Sequence, residues 1–342
     1  MIPQITEHQS LDAMTTFGLH STADFFARAQ NAQELDALIG WADERGLPVK
    51  FLGGGANTIA KSRVEGLVIR VEIKGFATEE APNGDLLVKV GAGEVFDDIV
   101  RRTVAEGRGG LENLAAIPGT VGGAVVQNIG AYGVELAERL VSVTVWDRSE
   151  KAERVLSVPE CDFAYRHSVL KTPAGRDFVI LGATLRLPKV WTPILGYRDL
   201  DAELKLEERS VETLTAAEVE AAVRAVRGRK LPDPRVIGNA GSFFTNPIVT
   251  KVFWHELLTV HPNLVYYKLG GGRMKLAAAW LIEAAGFKGA KTGAVGVYDK
   301  HALIVVNHGG ATGEDIIAFS DAIIAKVKQE FGVTLEREPV IL

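Results

Sequence analysis

Cysteine is almost missing: Cys161 is the single one in 342 residues. That excludes an internal disulfide framework and any multi-cysteine zinc or iron–sulfur site. A basic excess is missing too, since 38 Lys plus Arg face 43 Asp plus Glu for a net charge of −5, which argues against nucleic acid as partner. Long apolar runs are absent. The stretch 276–282 is closed by Glu283, far short of the roughly 20 residues that span a bilayer. Residues 1–8 carry neither a basic n-region nor an apolar core, so the chain is expected to be cytoplasmic with no secretory signal. There is no internal repeat and no low-complexity tract. What remains, 47% hydrophobic and 24% charged residues, is the mix of a globular protein. The length predicts two or three folding units.

Glycine is the abundant residue, at 36 copies, and it is clustered. A strand at 25–27, a helix opened by an Asn31-to-Glu34 capping box and a strand at 47–52 lead into Gly53-Gly54-Gly55-Ala56-Asn57-Thr58. Short strands follow at 67–71, 86–90, 141–146 and 179–181, interrupted by a helix at 96–106. Glu203, Lys205, Glu207, Glu208 and Arg209 form a charged run. Thr215 and Glu218 make a second capping box, whose helix ends before Pro232-Asp233-Pro234. Helices at 276–285 and 315–331 flank a strand at 302–306. Strands outnumber helices and are too irregularly spaced for βαβ repeats, so the fold class is α+β.

Several familiar motifs fail. Residues 286–292 approach a phosphate-binding P-loop, but Ala290 stands where Gly must precede Lys291. G-x-S-x-G, H-E-x-x-H and G-x-G-x-x-G are absent, which leaves no nucleophile elbow, no zinc or other metal site and no Rossmann fingerprint. The Gly53–Thr58 loop can aim successive amides at an anion, though taken alone a plain tight turn explains it equally well. Residues 109–133 carry glycines at 109, 110, 119, 122, 123, 130 and 133 with little charge. Such a stretch is expected to form neither helix nor strand and to wrap a large, partly apolar, phosphate-bearing ligand. Arg166 beside Tyr165, Ser242 beside Phe243 and Phe244, and Glu338 near the C-terminus would each, in isolation, be ordinary surface or turn residues.

Their joint order is informative. Leu52-Gly53-Gly54-Gly55-Ala56-Asn57, Ile117-Pro118-Gly119-Thr120-Val121-Gly122-Gly123, Gln127-Asn128-Ile129-Gly130-Ala131-Tyr132-Gly133 and Tyr165-Arg166-His167-Ser168 occur in sequence. Lys230-Leu231-Pro232-Asp233-Pro234, Gly238-Asn239-Ala240-Gly241-Ser242-Phe243-Phe244, Ala279-Trp280-Leu281-Ile282 and Leu335-Glu336-Arg337-Glu338 follow. From about Thr16 to the C-terminus the chain resembles the UDP-N-acetylenolpyruvoylglucosamine reductase (MurB) family, type I, of bacterial peptidoglycan synthesis.

The resemblance implies an FAD-binding domain of the vanillyl-alcohol-oxidase (PCMH) type made of two α+β subdomains, with a C-terminal α+β substrate-binding domain. It places them at 1–68, with the tail 333–342 packing back, at 69–212 and at 213–332. It implies FAD and NADPH as cofactors. The reaction implied is the passage of hydride from NADPH, by way of FAD, to C3 of the enolpyruvyl ether of UDP-N-acetylglucosamine, with protonation of C2 to give UDP-N-acetylmuramate. By the same resemblance Arg166, Ser242 and Glu338 are catalytic, with Ser242 the proton donor. FAD falls to Gly53, Gly54, Gly55, Ala56, Asn57 and Thr58, to Ile117, Pro118, Gly119, Thr120, Gly122 and Gly123, and to Asn128, Gly130, Ala131 and Tyr132. Substrate falls to Tyr165, Tyr197, Arg227, Lys230, Asn246, Lys275, Lys288 and His301. The partners implied are the two small molecules alone, and the state expected is a monomer. Ala56 and Thr15 depart from the family's usual Ser and Asn.

Overall fold

The computed structural model describes residues 2–208 and 210–342; Arg209 of the charged run lies outside them. The chain divides into two compact units, each with its own core: Met1–Gln9, Ala23–Gly54 and Glu65–Arg229 form the first, and Ser10–Thr22, Gly55–Val64 and Lys230–Leu342 form the second. Both are mixtures of helix and sheet, as the α+β reading expects.

The first unit carries two sheets. One runs in the order Ile5–Ser10, Thr22–Ala29, Arg63–Val71, Val49–Leu52, its last two strands parallel. Helix α1 (Ala32–Asp43) crosses to the last strand, opened by Asn31 Oδ1 accepting from the Glu34 amide at 2.9 Å. Its Leu35, Leu38 and Ile39 are buried on one stripe. The other sheet has five antiparallel strands in the order Ala152–Ser157, Leu140–Asp147, Phe178–Leu187, Leu86–Gly91, Phe76–Glu80. Helix α2 (Phe96–Ala105) and the short α3 (Val121–Val126) join the same core, and α4 (Arg198–Glu203) and α5 (Ala216–Lys230) add to it through Leu200, Val219, Ala222 and Val223.

Helix α3 overturns the expectation that the glycine-rich stretch stays irregular. Gly122 and Gly123 lie within its first turns, where the usual cost of glycine, about 1 kcal/mol each, is offset by packing. A Cβ on Gly122 would approach the Ala92 Cβ to 3.2 Å, a tight contact that glycine avoids where this turn lies against residue 92. The apolar character of the stretch also has a source other than a ligand, because Leu111, Leu114, Ala115, Val121, Ala124 and Val125 are buried in the unit's own core.

The second unit holds a four-stranded sheet (Gly238–Asn239, Val305–Asn307, Val295–Val297, Lys291–Thr292) and a three-stranded one (Ile248–Thr250, Arg273–Leu276, Tyr266–Lys268). Helices α6 (Lys251–Val260), α7 (Ala278–Ala284) and α8 (Gly313–Phe331) surround them. The final strand, Val340–Ile341, pairs in parallel with Thr58–Ile59.

Candidate active site

In the first unit the triple glycine is explained by contact before chemistry. A Cβ on Gly53 would lie 2.7 Å from Thr120 Oγ1, and one on Gly54 would lie 2.7 Å from Gly119 Cα. Two glycine-rich loops therefore meet backbone to backbone, which no larger residue permits. The Thr120 hydroxyl is buried without a hydrogen-bond partner. Among the described residues the amides of Gly54 and Gly123 also donate to no protein acceptor.

Arg166 sits at the apex of a tight turn closed by reciprocal bonds between Ala164 and His167, at 3.1 and 3.0 Å. Its guanidinium donates to the Asn128 carbonyl at 3.3 Å and the Gly130 carbonyl at 2.9 Å, and lies 5.2 Å from the centre of the Tyr165 ring. Asn128 is fully buried and organises the neighbourhood. Its Nδ2 donates to Glu135 at 2.9 Å and to the Ala164 carbonyl at 3.0 Å, while its Oδ1 accepts from the Ala137 amide at 3.0 Å. Ala116, Asn128, Tyr132 and Arg166 all adopt positive φ, at 59°, 40°, 46° and 53°. For residues other than glycine this is a strained backbone, held by its surroundings.

Tyr132 meets Tyr197 edge to face, with ring centres 5.7 Å apart. Burial raises the Tyr132 phenol pKa, an effect the Arg227 charge opposes. Arg227, on α5, has its Nε enclosed without a partner, and desolvation lowers its pKa despite the nearby Tyr132 and Asp97. An enclosed, under-neutralised cation of this kind favours an anionic ligand.

In the second unit Gly55 has φ +64° and its Cβ would fall 2.0 Å from the Met14 carbonyl. Thr16 Oγ1 donates to the Asn239 carbonyl at 2.6 Å and to the Ala56 carbonyl at 3.3 Å. The neighbouring Thr15 hydroxyl is buried and unpartnered. Ser242 is exposed, between Gly241 at φ 69° and the buried Phe243 and Phe244. The tail runs antiparallel to this segment: the Glu338 amide donates to the Phe243 carbonyl at 2.9 Å, and Thr245 donates to Glu336 at 3.0 Å. Ser242 thus lies in the bend directly before the segment that pairs with the tail bearing Glu338. Asn57 fixes the same tail, its Nδ2 donating to the Glu338 carbonyl at 3.1 Å and its own carbonyl accepting from Val340 at 3.0 Å.

The remaining substrate candidates of this unit are less uniform. Asn246 Oδ1 accepts from the Ala278 amide at 2.9 Å, at the start of α7, so this side chain has a structural task. Lys275 lies 5.5 Å from the centre of the Tyr267 ring. Lys288 pairs with Glu283 at 2.9 Å. Burial, then the charges of Lys230 and Lys288, push the His301 pKa down, and His301 Nδ1 accepts from the Leu303 amide at 3.3 Å.

Residues 233–342 match the profile of the UDP-N-acetylenolpyruvoylglucosamine reductase C-terminal domain, and residues 23–155 match that of an FAD binding domain. A UDP-N-acetylenolpyruvoylglucosamine reductase of an Azoarcus species is 44% identical over 99% of this chain and 98% of its own. The chain belongs to that reductase family. A Cupriavidus pinatubonensis member is 48% identical over 94% of this chain and 96% of its own. The solved reductase from Thermus caldophilus, 24% identical over 99% of each chain, shares the fold with a TM-score of 0.68.

The residues of this reductase chain fit FAD. Unpaired amides at Gly54 and Gly123 and the orphaned Thr120 hydroxyl are donors of the kind a pyrophosphate takes up, and a Cβ on Gly123 would meet nothing nearer than Thr120 Oγ1 at 3.9 Å, which leaves that position open. Sequence reasoning did not single out Asn113, Glu112 or Asp97 as site residues, although all three shape these loops. Their partners are distant in sequence, so no local pattern announces them.

Proposed function

We propose that the protein reduces enolpyruvyl-UDP-N-acetylglucosamine to UDP-N-acetylmuramate in peptidoglycan precursor synthesis, using FAD and NADPH. The observation that carries this is likeness to named reductases along virtually the entire chain. Bound FAD would supply the relay of hydride from NADPH to the enolpyruvyl C3.

The protein's own groups do the rest. Hydride at C3 leaves negative charge at C2, delocalised into the adjacent carboxylate, and that charge needs a positioned cation or donor. Arg166, held in its turn by two carbonyls, would supply the cation. Ser242 Oγ would give a proton to C2; a hydroxyl is a weak acid, but the charged carbon is a strong base. Glu338 would donate a hydrogen bond while protonated. Tyr165, Tyr197, Arg227, Lys230, Asn246, Lys275, Lys288 and His301 would hold the diphosphate, sugar and carboxylate of the substrate, the cations acting through local field against a net charge of −5. The division 1–68, 69–212 and 213–332, a monomeric state and a cytoplasmic location belong to the same proposal.

An anaerobic absorbance experiment tests it in one cuvette. NADPH should bleach the flavin band, and the enolpyruvyl substrate should restore it. Bleaching without return would keep the flavoenzyme and discard the substrate. Absence of flavin after incubation with FAD would discard the cofactor.

A further inference from the structure

Asn113 is fully buried, and its single amide group bridges two loops. Nδ2 donates one hydrogen bond to the Tyr132 carbonyl at 2.8 Å and another to the Ile194 carbonyl at 2.9 Å. The next residue toward the N-terminus, Glu112, is 2% exposed and accepts from Trp191 Nε1 at 2.8 Å and from the Gly110 amide. The Trp191 ring occupies space that only glycine leaves free, since a Cβ on Gly109 would lie 2.3 Å from Trp191 Cδ1. The 191–194 segment is therefore fastened twice, by a carboxyl acceptor and by a shared amide, to residues 112 and 113.

Three residues after Ile194 comes Tyr197, 47% exposed, its ring against Tyr132. Beyond it the chain is fastened again. The Gly196 amide donates to Asp201 at 3.1 Å, and Leu200 of α4 is fully buried. Packing leaves little slack on the near side either, because a Cβ on Gly133 would reach Ile194 Cγ2 at 3.0 Å and Tyr197 Cε2 at 3.4 Å.

We infer that Asn113 and the Glu112–Trp191 pair are positioning residues for Tyr197: they hold the loop that bears it in register with the Tyr132 loop, so that the two tyrosines form one wall of the substrate site. Asn113 touches no reacting atom in this role. It acts by giving the Tyr132 and Ile194 carbonyls a common donor. The inference rests on the proposed function only for what the wall binds.

The test uses the FAD-loaded full chain carrying Trp191→Phe, which keeps an aromatic ring beside Gly109 and removes the Nε1 donor, and separately Asn113→Ala. Two readouts are taken at equal flavin content: amide hydrogen exchange across 192–197, and KM and kcat for the enolpyruvyl substrate. A lost buried hydrogen bond to a carboxylate is expected to speed exchange about tenfold and raise KM by a similar factor, with kcat within about twofold. Unchanged exchange overturns the fastening. Faster exchange with unchanged KM, or a fall in kcat with KM constant, overturns the positioning role. If Asn113→Ala does not fold, Trp191→Phe carries the test. If the parent protein does not turn over the substrate, the functional reading fails, while hydrogen exchange still decides whether the loop is fastened as inferred.

Discussion

At the scale of single residues, some of the proposed site groups belong to recognisable motifs and others do not. Ser242, an ordinary turn residue when read alone and a proton donor only through the family resemblance, is exposed beside buried Phe243 and Phe244. Ser242→Ala should leave flavin reduction by NADPH within about twofold and slow reoxidation by substrate about 10²–10⁴-fold; stopped-flow absorbance of each half-reaction reads the two separately, and equal loss in both would remove Ser242 as the C2 acid. Gly54 is a sharper case. A methyl group there meets Gly119 Cα at 2.7 Å, so Gly54→Ala should displace the 117–120 loop and lower the flavin bound per chain, measured by the ratio of visible to ultraviolet absorbance. Asn113 was invisible because its partners, Tyr132 and Ile194, are set by tertiary packing. No spacing rule links residues 113, 132 and 194.

At the scale of elements, helix ends were the most legible feature. Asn31 to Glu34 and Thr215 to Glu218 bond as their sequences predict, because capping depends on three or four neighbouring residues. Helix α6 and the three-stranded sheet around Met274 carry no clear sequence signal. Their segments are short and mix exposed Val252, Val260 and Tyr267 with buried Trp254 and Leu257, which blurs any period. Helix α3 was concealed by its glycines, whose cost is local and whose benefit is tertiary.

Two predictions belong to elements. Tyr197→Ala, in the loop before α4, should raise the substrate KM, and steady-state kinetics showing an unchanged KM would take that loop out of the binding site. Asp97 on α2 accepts from the Ala116 amide at 2.6 Å and from both Arg224 terminal nitrogens at 2.8 Å, so it ties α2 to α5 and to the strained Ala116. Burial works to raise its pKa, but the Arg224 guanidinium, the Ala116 amide and Arg101 outweigh it, and the net shift is downward. A carboxyl with a lower pKa when folded stabilises fully above its unfolded value, about 3.9, and loses that contribution as pH falls through the folded value. Urea midpoints should therefore fall as pH drops below about 4, and Asp97→Asn should flatten that fall while lowering stability at pH 7.

At the scale of the whole molecule, neither unit is a continuous stretch of chain. The second takes Ser10–Thr22 and Gly55–Val64 as well as Lys230–Leu342. Its core includes Phe17, Leu19 and Ile59, all fully buried, and its last strand pairs with Thr58–Ile59. A fragment of residues 230–342, which contains the whole C-terminal profile match at 233–342, should show no cooperative urea transition by circular dichroism. A sharp transition like that of the intact chain would contradict this. The family resemblance implies that the tail 333–342 packs back on residues 1–68, but not that Ser10–Thr22 and Gly55–Val64 join the C-terminal unit, since nothing in a linear pattern marks Phe17 and Leu19 as partners of residues more than two hundred positions away.

Interleaving also has a consequence for biosynthesis. Between residue 22 and residue 230 a ribosome adds 207 residues before the main part of the second unit begins to appear, about 10–40 s at ordinary elongation rates. For most of that interval Phe17 and Leu19 have only Ile59 of their native core cluster beside them, a predictable place for a chaperone to hold the growing polypeptide.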